Sequence, residues 1–261
     1  MPEEKIKKLL EHKAKLLKQP GFEGYSRLEE VFHKRETGQY LSDIILGAND
    51  GIITTFVVVA GASGASLAPL VILVVGFANV LGDAVSMGFG NYLGQKSEAD
   101  YNRSQRRKEY WEVEKFPEIE RWEIEEVFKK WGFKGDDLER AVEIVTSDKD
   151  VWVEVMMREE LGIIEESVSQ PFKRGLATFL AFVLVGSVPL IPFLIPPLAS
   201  SAAIISSFVA AGELFIIGAL RKLVYPVNWL KAGLEMLLVG ALAGGIAYTV
   251  GYFVDKFVNS F

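Results

Sequence analysis

Five long apolar stretches constrain this chain more than any other feature of its sequence. Each is near or above the ~20 residues that a helix needs to cross the hydrocarbon core of a bilayer. They cover residues 41–62, 67–95, 174–195, 199–221 and 229–254. Backbone in hydrocarbon must satisfy its own hydrogen bonds, which leaves only helices and closed barrels. Because no β-strand pattern is present, the sequence predicts an all-α fold with a five-span transmembrane helical bundle.

The charged residues are segregated from the apolar stretches. Residues 97–170 hold 21 of the 34 Asp and Glu and 12 of the 28 Lys and Arg. We therefore predict a solvated helical domain at 97–170, inserted between transmembrane helices 1–2 (41–96) and transmembrane helices 3–5 (171–261). Residues 1–40, which are polar and helix-prone, form a predicted N-terminal helical arm.

The positions of Lys and Arg predict the orientation. The N-terminal arm is rich in Lys, and the link at 221–231 holds three basic residues, whereas the other two short links carry no charge. Basic residues are enriched in cytoplasmic loops. The arm, the 221–231 link and the 97–170 domain are thus expected in the cytoplasm, with the C-terminus outside. The short arm favours a prokaryotic plasma membrane over a vacuole.

Residues that are missing exclude several functions. The chain has no cysteine, and its two histidines, His12 and His33, both lie in the N-terminal arm. Disulfides, Cys/His zinc sites and His-based nucleophilic catalysis are therefore excluded, and we do not expect an enzyme. The net charge of −6 argues against nucleic acid as a partner. A bound metal must use carboxylates, carbonyls or Met sulfur.

An acidic residue lies inside the first apolar stretch. Asp50 is flanked by Gly47 and Gly51, and it shares a helix face with Asp43 at a spacing of seven residues. A carboxylate in hydrocarbon costs several kcal/mol, so it usually lines an ion or proton path. The alternative is a buried polar residue that only joins two helices.

The second apolar stretch presents a matching face. Asp83, Met87 and Asn91 follow one another at intervals of four residues. Asp50 and Met87 are expected at a similar depth, where a carboxylate and a thioether would suit a borderline ion such as Fe²⁺. Ordinary packing is the alternative for Met87.

Two further acids lie in the last two stretches. Glu213, in the middle of the fourth stretch with Ser206 and Ser207 about two turns away, is a candidate for a proton path. Glu235, near the end of the fifth stretch, is expected to snorkel or to pair with Lys231.

The 97–170 region carries acidic residues at helical spacing. Glu109 and Glu112, and again Glu120 and Glu123, are three residues apart, and Met156 and Glu160 are four apart on a later helix. Helical bundles hold divalent metals with carboxylates of this kind, but a solvated acidic face is the alternative. We expect a small aromatic core in this region, formed by Trp111, Trp122, Phe128, Trp131 and Trp152.

Several of these stretches resemble the vacuolar iron transporter family. The matching segments are Asp43–Gly51, Thr54–Gly61, Ser86–Leu93 with Lys96–Glu98, the third span with Pro189 and Pro192, and Val239–Gly244. The resemblance implies a dimer with five spans and a cytoplasmic helical metal-binding domain inserted after the second span. It also implies exchange of cytosolic Fe²⁺ for protons.

The resemblance also implies residue roles. Asp50 and Met87 match the family's pathway residues, and its soluble-domain ligands match Glu109, Glu112, Glu120, Glu123, Met156 and Glu160, with Met157 adjacent. Gln39 and Asn91 stand where members often carry Glu, and Asp43 replaces a usual Glu. These differences indicate a divergent, prokaryotic-type member whose preferred ion could differ.

The leading interpretation is export of Fe²⁺, or of Mn²⁺, from the cytosol in exchange for protons. The transported ion, for which Zn²⁺ is a further candidate, is then the only bound metal, with no other cofactor. A membrane-anchored metal sensor or buffer without transport is one alternative, and a relative moving another cation is the other. The expected partners are the lipid bilayer, divalent metal ions, protons and a second copy of the chain.

Overall fold

The computed structural model describes residues 35–163, 170–198, 200–223 and 227–260. Within these ranges the chain is helical and contains no strand, which confirms the predicted all-α fold. Most of the predicted N-terminal arm lies outside the described residues.

Eight α-helices account for most of the described chain. They are α1 (Arg35–Gly64), α2 (Pro69–Lys115), α3 (Pro117–Lys130), α4 (Gly135–Thr146), α5 (Lys149–Glu159), α6 (Pro171–Gly186), α7 (Ala202–Leu220) and α8 (Trp229–Val258). Helices α1, α2, α7 and α8 are long and apolar enough to cross a membrane, and so is α6 together with the residues that follow it up to Leu194, in agreement with the five predicted spans.

The helices form two compact units. The membrane unit ends at Asn91 and resumes at Phe172, and the polar unit is Tyr92–Pro171. Helix α2 contributes to both, because residues 95–116 contain neither Gly nor Pro to interrupt it. Its 47 residues measure about 70 Å at 1.5 Å per residue, against a hydrocarbon core of about 30 Å. Only its apolar N-terminal part can lie in lipid, and the charged remainder lies outside.

Small residues bring the helices of the membrane unit together. A Cβ added at Gly51 would lie 2.8 Å from the Phe182 carbonyl oxygen and 3.3 Å from Gly186 Cα. Near the other end of α1, Gly64 meets Tyr248 of α8 at backbone distance. Helices in lipid associate by close packing of this kind, which only small residues permit. These contacts fix α1 against α6 and α8.

The third span ends its regular helix early. After α6 the chain continues as a 3₁₀ helix, Val188–Leu194. Pro189 and Pro192 have no backbone N–H, so the α-helical hydrogen bonds cannot continue through them. The Ser206 hydroxyl of α7 donates a 2.6 Å hydrogen bond to the Pro189 carbonyl oxygen, which satisfies a group that the break frees.

The polar unit has an aliphatic rather than an aromatic core. Phe128 and Trp152 are buried as predicted, but Trp111, Trp122 and Trp131 are exposed, so that part of the prediction was wrong. Besides Phe128 and Trp152, the core consists of aliphatic and methionine side chains: Val113, Ile124, Val142, Val153, Met156 and Met157. Trp131 contacts this cluster only at its edge, where its ring lies 5.3 Å from that of Phe128.

Candidate functional site

Two acidic residues of the membrane unit come close across α1 and α2. Asp50 and Asp83 are both half-buried, and their carboxylates are near enough for the charges to interact. The Asn79 amide donates a 2.8 Å hydrogen bond to Asp83 Oδ2, and the Thr54 hydroxyl donates to the Asp50 carbonyl oxygen at 2.8 Å. The Asp50 carboxylate thus has a second carboxylate as its charged neighbour. A cation would neutralise both.

Met87 lies one turn beyond Asp83 on α2. It is half-buried and packs against the apolar cluster that contains Val80, Ala84 and Phe182. Met87 therefore packs in the apolar cluster, as the alternative interpretation expected. Its thioether also lies on the helix face that carries Asp83.

We expect that Met87→Leu impairs transport of Fe²⁺ more than transport of Mn²⁺. Leu conserves the volume, so the free energy of unfolding should change by less than about 1.5 kcal/mol. Only the sulfur is lost, and softer ions depend on it more. Initial rates for both ions in proteoliposomes would test this, with Leu73→Ile, also at the edge of the apolar cluster, as a control that changes only packing. Unchanged rates for both ions would contradict it.

Asp43 is buried in an ion pair that the sequence analysis did not identify. The residue is 4% exposed, and Arg174 Nε of α6 donates to its Oδ2 at 2.8 Å. Asn91 Nδ2 donates to Asp43 Oδ1 at 3.0 Å and to Thr178 Oγ1 at 2.8 Å. Asp43 and Asn91, predicted on separate faces, therefore meet. The sequence signal for Arg174 is a charged residue just inside an otherwise apolar span.

Glu213 is held in the membrane unit without a visible hydrogen-bond partner. Its Oε2 is buried and accepts no hydrogen bond from any residue that the structure describes. The nearby hydroxyls are engaged elsewhere, since Ser206 donates to Pro189 and Ser207 donates to the Ala203 carbonyl oxygen at 2.8 Å. An acid in this setting has no charge to stabilise it, which suits a group that carries a proton.

Glu235 lies near a basic residue other than the one predicted. It is exposed, and its Oε2 lies 3.8 Å from Arg221 Nη1. The partner is thus a basic residue at the end of the preceding helix rather than Lys231 on its own helix. An exposed pair at this distance contributes little to stability.

Two carboxylates of the polar unit are buried without partners. Glu109 is 1% exposed and Glu120 is 5% exposed. Both oxygens of Glu109 and Oε2 of Glu120 are without a hydrogen-bond partner over the described ranges. A buried charged oxygen that makes no hydrogen bond is expensive. These groups therefore need either a proton or a cation.

The neighbouring acids raise the pKa of both groups. Burial, then Glu160 and Glu112, raises the pKa of Glu109 from 4.5 to about 7. Burial, then Glu123 and Glu109, raises the pKa of Glu120 to about 7. The pKa values of Glu123 and Glu160 are also raised, mainly by burial. Five carboxylates from α2, α3 and the C-terminal end of α5 thus act on one another.

The five carboxylates do not form a closed ligand set. Over the part of the chain that the structure describes, no three His, Cys, Asp or Glu side chains are grouped closely enough to hold a metal ion. Glu112 is engaged by Lys108, whose Nζ lies 3.0 Å from its Oε2. Met156 and Met157 are almost fully buried in the apolar core beside the carboxylates. Binding a metal would require these side chains to move closer together.

The described features define an integral, multi-pass membrane protein. It has five spanning helices with acidic side chains among them, together with a helical unit that carries its own acidic cluster. The chain belongs to the VIT family, whose model matches residues 41–252.

Relatives at moderate identity span most of the chain. It is 35% identical over 237 residues to the vacuolar iron transporter of Toxoplasma gondii, covering 87% of this chain and 78% of that protein. It is 32% identical over 232 residues to vacuolar iron transporter 1 of Eucalyptus grandis, covering 88% and 93%. It is 30% identical over 218 residues to vacuolar iron transporter 1 of Arabidopsis thaliana, covering 84% and 87%.

Proposed function

We propose that this protein moves a divalent metal ion, Fe²⁺ or Mn²⁺, out of the cytosol in exchange for protons. Membership of the VIT family makes it a transporter and not an enzyme, and the relatives' names support iron as the ion. The observation that carries the proposal is that Asp50 and Asp83, two half-buried acids, lie in different spanning helices of the membrane unit. Acids placed in membrane spans typically line ion paths.

In this proposal the polar unit collects the ion. Its cluster of Glu109, Glu112, Glu120, Glu123 and Glu160 provides oxygen ligands, and Met156 and Met157 add sulfur that favours Fe²⁺ over alkaline-earth ions. The positive-inside pattern supports a cytoplasmic polar unit and an external C-terminus.

Proton exchange follows from the chemistry of the ligands. A carboxylate must be deprotonated to bind a metal, so metal binding releases protons. Asp50 and Asp83 would carry the metal, and Glu213, which lies in a different span, would carry a proton in the opposite direction. Exchange then requires that protonation of Glu213 and metal binding at Asp50 and Asp83 affect one another, so that one gradient can drive the other.

We further propose that the protein works as a homodimer in the bilayer. All five candidate spans leave most of their apolar surface uncovered within one chain. Exposed apolar side chains on α2, such as Val85 and Phe89, suit either lipid or a second copy. Nucleic acid is not an expected partner of this acidic chain.

One experiment tests the proposed function. Purified full-length protein is reconstituted into liposomes, a pH gradient is imposed, and uptake of Fe²⁺, Mn²⁺, Co²⁺, Zn²⁺ and Ca²⁺ is measured against protein-free liposomes. We expect uptake of Fe²⁺ or Mn²⁺ that collapses with the gradient. Metal binding without any flux would instead identify a sensor or buffer. In that case the acidic polar unit would bind the metal and the spans would serve only as an anchor. Flux of Ca²⁺ or Zn²⁺ in preference would identify a relative that moves another cation.

We expect that Glu213→Gln lowers the dependence of uptake on the pH gradient while metal binding to the polar unit is retained. Glu213 has a buried oxygen without a partner in the described structure, and Gln keeps its shape but cannot carry a proton. Uptake at several imposed gradients gives the measurement. Glu235→Gln is the matched control, because it removes an exposed acid from the next span. If uptake by Glu213→Gln depends on the pH gradient as strongly as uptake by wild type, Glu213 has a structural role and does not carry the proton.

A further inference from the structure

The Asp43–Arg174 ion pair joins two spanning helices inside the membrane unit. Arg174 Nε donates to Asp43 Oδ2 at 2.8 Å, and Nη2 donates to Asp43 Oδ1 at 3.3 Å. The side chain of Arg174 is 18% exposed and that of Asp43 is 6% exposed. Both oxygens of the carboxylate are therefore covered by one guanidinium, a geometry that Arg provides and Lys cannot.

Two uncharged residues complete the surroundings of this pair. Asn91 of α2 donates to the same Asp43 Oδ1 at 3.0 Å, and it donates to Thr178 Oγ1 at 2.8 Å. The Thr178 hydroxyl in turn donates to the Arg174 carbonyl oxygen at 3.2 Å. Among the residues that the structure describes, Asp43 is the charged acceptor in this group, because Asn91 supplies an amide. The Arg174 guanidinium neutralises the Asp43 carboxylate, which lowers the attraction of that carboxylate for a divalent cation.

The pair lies on the same helix as the proposed metal path. Asp43 and Asp50 are seven residues apart on α1, two turns or about 10 Å along the axis. A free carboxylate at this distance from Asp50 and Asp83 would offer a passing cation another anionic site. A guanidinium stays protonated at all accessible pH values, so it blocks such a site without competing for protons.

We propose that Arg174 is a positioning residue for metal transport, whose guanidinium occupies the Asp43 carboxylate so that the cation binds at Asp50 and Asp83 and is not retained at Asp43. This inference rests on the proposed transport of a divalent metal. Under this inference Asp43 is the partner of Arg174 and is not a ligand of the transported ion. It also accounts for Asn91, because an acid at that position would restore a net negative charge.

Thermal unfolding of the full-length protein in detergent, with and without Mn²⁺, tests this assignment. In Arg174→Gln the buried Asp43 loses its counter-charge, and removing one partner of a buried pair is strongly destabilising. We expect a lower melting temperature without metal and a larger Mn²⁺-induced rise than in wild type, because Mn²⁺ then binds at Asp43. The polar unit is the same in both proteins, so its contribution cancels in the comparison.

The double variant Asp43→Asn/Arg174→Gln is the control for folding. It removes both charges, which buried pairs often tolerate, and the side-chain carbonyl introduced by Asp43→Asn can still accept from Asn91. We expect its Mn²⁺-induced rise and its KM for Mn²⁺ uptake to match wild type. In Arg174→Gln, an added carboxylate ligand should lower both KM and the maximal rate, by about tenfold for KM.

Three results would overturn the assignment. An Arg174→Gln protein with the same Mn²⁺-induced rise as wild type would make Arg174 a structural clamp. A double variant that folds but takes up no Mn²⁺ would make Asp43 itself a ligand. If Arg174→Gln does not accumulate, the double variant decides, because a raised KM for Mn²⁺ in that variant contradicts the proposal and an unchanged KM supports it. Absence of uptake by wild type would instead contradict the proposed function, and the unfolding comparison would still test the pair.

Discussion

We expect Asp50→Asn to reduce metal uptake in proteoliposomes to the level of protein-free liposomes while the protein remains folded. Asn has nearly the same shape but cannot neutralise a divalent cation, and it leaves Asp83 as the single carboxylate of the pair. Removing an ionised acid from a spanning helix also lowers the free energy required to insert that helix, so loss of uptake could not be attributed to misfolding. Initial rates of Mn²⁺ uptake under a pH gradient give the measurement.

Asp100→Asn is the matched control for this change. Asp100 lies in the charged part of α2, where its Oδ1 is 3.3 Å from Arg103 Nη1 at an exposed position. It removes the same charge by the same substitution outside the membrane and should transport normally. Uptake by Asp50→Asn at the rate of wild type would remove Asp50 from the metal path.

Replacing Glu109, Glu112, Glu120 and Glu123 together by Gln should abolish metal binding to the polar unit. Gln retains the helix propensity of Glu, so α2 and α3 should persist. Replacing Glu109 and Glu120 also removes the free-energy cost of burying two carboxylates that can ionise. The metal-free protein should therefore be more stable near neutral pH. Calorimetric titration of the full-length protein with Mn²⁺ would measure the loss. A control variant replaces four Glu of the same two helices outside the cluster, Glu114, Glu118, Glu125 and Glu126.

The pH dependence of binding gives a second measurement on the same proteins. The folded-state pKa of Glu109 and of Glu120 is raised from 4.5 to about 7, so the folded unit holds protons that the unfolded chain has already lost. This contribution to stability is fully present below about pH 4.5 and is lost as the pH rises through about 7. Metal binding should show the opposite trend, strengthening up to about pH 7 and then levelling off. Equal metal binding by wild type and the quadruple variant at pH 7.5 would show that these acids are not metal ligands and only form a solvated helix face.

The helices could be predicted from the sequence because the residues that begin and end a helix lie close to its ends in the chain. Pro117 begins α3 and Gly132, at φ +98°, follows its end, as the pattern of breakers predicts. The apolar stretches located all five candidate spans. The continuous α2 was less evident, since the change from apolar to charged residues at about 96 is a change of surroundings and not of secondary structure.

Contacts between distant residues were not accessible in the same way. Asp43 and Arg174 are 131 residues apart in the chain, and no periodicity relates them. The aromatic core of the polar unit was predicted from residue type, but burial there depends on which helix face meets the neighbouring helices. The acidic cluster was found from spacing and resemblance, yet spacing did not distinguish the buried Glu109 from the partly exposed Glu112.

The glycine contacts of α1 limit how the membrane unit can change shape. Gly51 of α1 meets Gly186 of α6 backbone to backbone, and Gly64 meets Tyr248 of α8 in the same way. Such contacts have no long side chains that could rearrange during a sliding motion. Helices α1, α6 and α8 should therefore move as one rigid body in an alternating-access cycle. A crosslink between α1 and α6 should therefore leave the transport rate unchanged.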